Sequence, residues 1–62
     1  MEYGAEVKAG RAELVAQLED AAIGWEHNDK PTLAGEARRA LAQLEGGAWS
    51  ARVGHTVYLV TD

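Results

Sequence analysis

Residues Arg11–Trp25 read RAELVAQLEDAAIGW, and the reading of this stretch decides the fold. At 100° per residue, Leu14, Val15, Leu18, Ala21, Ala22 and Trp25 fall within a band about 120° wide, the pattern of a helix with one buried face. Glu13, Glu19, Asp20 and Glu26 fall outside that band. Ile23 projects onto the charged side, where it either marks a distortion at Gly24 or stands exposed as a contact residue. No other segment with an apolar band is as long, so the rest of the chain is expected to cover this apolar face. Val7 lies on the same band, which extends the expected helix to about residues 6–26. Residues 1–4 read as irregular, with Tyr3 folding back onto the core.

Past this helix, His27–Thr32 (HNDKPT) reads as a loop, because Pro31 disfavours helical geometry at Lys30 and Asn28 and Asp29 suit a turn. Thr32 is the expected N-cap of a second helix over about residues 33–45, LAGEARRALAQLE. In it, Leu33, Ala37, Ala40, Leu41 and Leu44 share one face, and Gly46-Gly47 supplies the left-handed stop.

The tail Ala48–Thr61 (AWSARVGHTVYLVT) shifts to a period of two and gains β-branched and aromatic residues. It reads as a β-hairpin over about residues 48–61. A three-residue loop, Val53–His55, separates polar from apolar better than a two-residue loop at Gly54-His55. It pairs Trp49 with Leu59 and Ala51 with Val57, and leaves Tyr58 and Val60 on the outer face. The expected fold is α+β: a single α-α-β-β domain of two packed helices followed by a C-terminal hairpin. Trp49, Val57 and Leu59 would cover the junction of the helices, so Trp49→Ala would be close to unfolding.

At 62 residues the chain is one domain with a thin stability margin. It has no cysteine, so neither a disulfide framework nor a thiolate metal site is available. Association with a second copy or a larger partner is the remaining cheap way to bury apolar surface, which points to a homodimer or an accessory protein. No apolar run approaches the ~20 residues that span a bilayer, and no signal-peptide pattern is present. A cytoplasmic protein without a membrane partner is the expectation.

The formal net charge of −4 is unevenly placed. Glu2, Glu6, Glu13, Glu19, Asp20, Glu26 and Asp29 face only Lys8, Arg11 and Lys30 in the first half. The second half is balanced, its positive charge all in Arg38, Arg39 and Arg52. An acidic whole argues against generic phosphate-driven binding of nucleic acid.

Catalytic and metal chemistry find little support. His27 and His55 stand without a ligand-spaced neighbour, so no metal or cofactor is expected. Ser50 has no nucleophile motif around it, and Glu19 and Asp20 diverge by 100° on their helix. The chain is not expected to be an enzyme.

Thr32–Thr61 resembles the recognition-helix-plus-wing end of winged helix-turn-helix regulators, in which a Leu-x-x-Leu-Glu-x-x-Gly helix end leads to a hairpin closing in Tyr-x-Leu-Thr. The corresponding residues are Leu41, Leu44, Glu45, Gly47 (one position before the motif's glycine), Tyr58, Val60 (in the place of the motif's Leu) and Thr61. The resemblance implies that Arg38 and Arg39 would meet DNA and that Arg52 and His55 would form the wing tip. The family normally has three helices, where this chain has room for two.

The charge pattern favours a different expectation. Glu13, Glu19, Asp20 and Glu26 line one side of the first helix, and Ile23 and Tyr58 would add apolar contacts. Such a surface suits a partner protein with a basic groove. In size and charge the chain is similar to phage and mobile-element inhibitors of the anti-CRISPR and DNA-mimic type. A small protein-binding inhibitor is therefore the first functional expectation, and a minimal winged-helix-like DNA-binding regulator the alternative.

Overall fold

The structure is a computed structural model that describes residues 4–62; the expectation for Tyr3 lies outside them. Five elements follow in order: β1 (Ala5–Ala9), α1 (Arg11–His27), α2 (Pro31–Glu45), β2 (Ser50–Val53) and β3 (Thr56–Val60). The fold is α+β, with two helices followed by a hairpin as expected. The sheet, however, has three strands in the order β1-β3-β2.

The added strand corrects the reading of residues 6–10. Val7 fits a helical band and a strand equally well, and a long-range partner decides between them. β1 lies parallel to β3, with Val7 beside Tyr58 and Ala9 beside Val60. Gly10 then turns the chain in an extended conformation (φ −65°, ψ 158°), and its carbonyl accepts the Leu14 N–H at 3.0 Å. The helix therefore starts at Arg11.

α1 closes at Asn28, whose N–H and side-chain amide both donate to the Gly24 carbonyl, at 3.1 and 2.9 Å. Asp29 takes a left-handed φ of 56°. Only residues 28–30 separate the helices, because Pro31 opens α2. Proline is suited to the first helical turn, where its missing N–H would have had no partner. The six-residue loop and the Thr32 cap are thus corrected: Lys30 precedes the helix, and no side chain caps it. At the far end Gly47 supplies the positive φ (108°), and Gly47 and Ala48 donate to the Leu44 and Gln43 carbonyls.

The hairpin takes the register the polarity argument disfavoured. Ser50 pairs with Leu59, Arg52 with Val57 and Val53 with Thr56, around a two-residue turn at Gly54-His55. Gly54 provides the positive φ of 58°, while His55 does not need one. Ala51 and Val53 are buried against the helices, and Tyr58 and Val60 pack beside them. Val57 and Leu59 consequently lie on the opposite face, with Glu6, Lys8, Ser50 and Arg52. Polarity misled because β3 is the central strand and every residue in it is half-buried, so alternation along it does not mark the core side.

The two helices lie on one face of this sheet. Leu14, Leu18 and Ala22 of α1 meet Ala34, Ala37, Ala40, Leu41 and Leu44 of α2, with Ala51 and Val53 below them. Alanine at these positions lets the helices approach closely, but it leaves few atoms to bury. Leu14, Leu18 and Leu44 are the largest fully buried side chains.

Candidate binding surfaces

Three surfaces follow from this packing. The first is the outer side of α1. Its core face turns Glu13, Glu19, Asp20 and Glu26 to solvent, and Ile23 among them is 47% exposed. Glu13 accepts a hydrogen bond from Gln17 at 3.1 Å. Glu26 receives the Arg38 guanidinium at 3.1–3.3 Å, both side chains half exposed. Glu13, Glu19 and Asp20 have no cationic partner among the described residues. Tyr58 does not join this surface, because its register places it against the core.

The second surface is a cleft of about 380 Å³ between α2 and the edge strand β2. Arg39, Gln43 and Glu36 come from the helix, Arg52 from the strand, and Gly54 and His55 from the turn. Glu36 fixes its shape: its Oε1 accepts the Gly54 N–H at 2.6 Å. Arg39 and Arg52 make no ion pair among the described residues. Three of the four residues assigned to DNA by resemblance therefore come together. Arg38 is diverted to Glu26.

The third surface was missed in the sequence, where Trp49 reads as core. Trp49 is 64% exposed and stacks on Arg11, whose guanidinium carbon lies 5.0 Å from the ring centroid. Arg11 is held in turn by the carbonyls of Leu44 and Ala48, so it closes the C-terminal end of α2 from the start of α1. Trp49 misses the core because β2 begins after it and a guanidinium occupies the space beneath its ring. Only the exposed pair of glycines before it hints at this.

Among the described residues no three His, Asp or Glu side chains converge as metal ligands, and no helix is long and apolar enough to cross a membrane. No protein-family model matches the chain, and comparison with curated proteins and with solved structures returns no significant match.

Proposed function

We propose that the chain is a non-enzymatic module that binds a protein with a basic surface, as a small inhibitor or regulator would. The observation that carries this reading is the outer side of α1, where Ile23 stands exposed among Glu13, Glu19 and Asp20, none of them paired with a cation among the described residues. An apolar residue within unneutralised acid complements a basic, partly apolar patch: the charge speeds encounter, and the apolar contact slows release. Exposure of both Ile23 and Trp49 in so small a domain points the same way.

The cleft holding Arg39, Arg52 and His55 favours a second reading, in which the chain holds nucleic-acid phosphates. The net charge of −4 weighs against it.

One experiment separates the two. Binding of a fluorescent polyarginine peptide and of random-sequence duplex DNA is measured at low and moderate salt, with the oligomeric state determined on the same samples. The first reading expects polyarginine binding that Asp20→Lys weakens clearly more than Glu6→Lys, an equal charge change on β1, and no DNA binding. Salt-sensitive DNA binding that Arg39→Ala with Arg52→Ala abolishes would establish the second. Equal losses from Asp20→Lys and Glu6→Lys would reduce the first to bulk charge.

A further inference from the structure

We infer that Trp49 is the anchor of the binding surface, and that its open ring face receives an arginine or lysine side chain of the partner. The inference rests on the basic-partner reading and adds where the partner is gripped. The Trp49 backbone is fixed, since its carbonyl accepts the Val60 N–H at 2.9 Å at the start of the sheet. One face of the ring is fixed as well, stacked on an Arg11 guanidinium that two backbone carbonyls hold. An aromatic group so restrained loses little conformational freedom on binding, and tryptophan is enriched among the residues that dominate interface energies.

What lies beside the ring defines the ligand. A shallow cleft of about 790 Å³ runs from Trp49 to the first turns of α1. Ala12 and Val15 line it with apolar surface and Glu45 and Asp62 with carboxylates. Arg11 lines it too, its guanidinium already engaged by the Leu44 and Ala48 carbonyls and the near face of the Trp49 ring. Asp62 is oriented by the Arg11 N–H, which donates to its Oδ1 at 3.0 Å. Glu45 has no cationic partner among the described residues. Apolar surface, a π face and two carboxylates match a side chain with an aliphatic stem and a cationic head. An anionic ligand would meet both carboxylates, and a purely apolar one would leave Glu45 unused.

The test is NMR titration of the 15N-labelled protein with a blocked peptide, Leu-Arg-Leu, and with its citrulline counterpart, which keeps the shape and loses the charge. Trp25, packed against the core, serves as the internal control. The inference expects a saturable shift of the Trp49 indole N–H and of Ala12 and Val15, with the Trp25 indole unmoved. It expects the citrulline peptide, or the Glu45→Gln variant, to bind about threefold to fivefold more weakly. It also expects Trp49→Ala to stay folded, judged by the Trp25 indole signal, and to lose the shifts at Ala12 and Val15. Equal affinity for the two peptides would overturn the cationic assignment. Shifts confined to Glu13, Glu19, Asp20 and Ile23 would overturn the anchor and leave the basic-partner reading standing. No saturable shift anywhere would remove both.

Discussion

The backbone N–H of Gly54 donates to Oε1 of Glu36 at 2.6 Å, tying the tip of the hairpin to α2 across a sequence separation of 18 residues. The bond orients the turn over the helix and shapes the cleft that holds Arg39 and Arg52. A charge-assisted hydrogen bond in a half-buried setting contributes about 1–2 kcal/mol. Glu36→Ala should lower the urea midpoint by a corresponding amount without changing the slope. Glu36→Gln should recover part of the loss. A midpoint unchanged in both variants would show that the turn is held by the sheet alone.

Trp49→Ala and Leu18→Ala should part sharply. Leu18 is fully buried between the helices, and its truncation is expected to cost about 2–5 kcal/mol. That approaches the whole stability of so small a domain. Trp49, at 64% exposure, should cost about 1 kcal/mol or less through loss of its stacking on Arg11. Paired thermal melts check this. Loss of the cooperative transition in Trp49→Ala would put the indole back in the core.

The Glu26–Arg38 bridge joins α1 to α2, yet its two side chains are half exposed. A double-mutant cycle with Glu26→Gln and Arg38→Gln should return a coupling of about 0.2–1 kcal/mol, falling as salt is raised. A larger, salt-insensitive coupling would mean that the pair is shielded from water.

At Gly54 the backbone conformation, more than a lack of space, opposes a side chain. Its φ of 58° disfavours an L-residue, and an added Cβ would lie 3.4 Å from the Leu33 side chain. Gly54→Ala should destabilise by about 1 kcal/mol, measured as a shift of the denaturation midpoint. Gly35→Ala lies in a helix with open space around it and should stabilise by up to about 1 kcal/mol. The pair thus has opposite signs, and a common sign would contradict the backbone conformations described.

The sequence by itself determined the elements whose signals are local. Both helices are written in their 3.6-residue spacing, which by itself places Leu14, Leu18, Ala22, Ala37, Ala40, Leu41 and Leu44 on the core faces. The stop of the second helix near Gly47 and the presence of a hairpin turning near Gly54 follow from backbone freedom that glycine provides at least cost. The exposure of the acids of α1 follows from the same wheel, which leaves Ile23 either at a distortion of the helix or exposed; the regular helix of the structure exposes it. Tertiary structure decided what depends on partners far along the chain. Ala5–Ala9 became a strand because β3 offered it an edge, and at five residues its own pattern could not choose between periods of two and 3.6. The presence of that strand made β3 central and half-buried throughout, so the hairpin register was set by the packing of Ala51, Val53 and Tyr58 on the helices. Arg11 took the carbonyls at the end of α2, and Trp49 was left outside, stacked on it. The meeting of Arg39 with Arg52 and the pairing of Arg38 with Glu26 likewise join residues on different elements. Helical periodicity constrains each element separately, and only packing sets which faces of different elements come together.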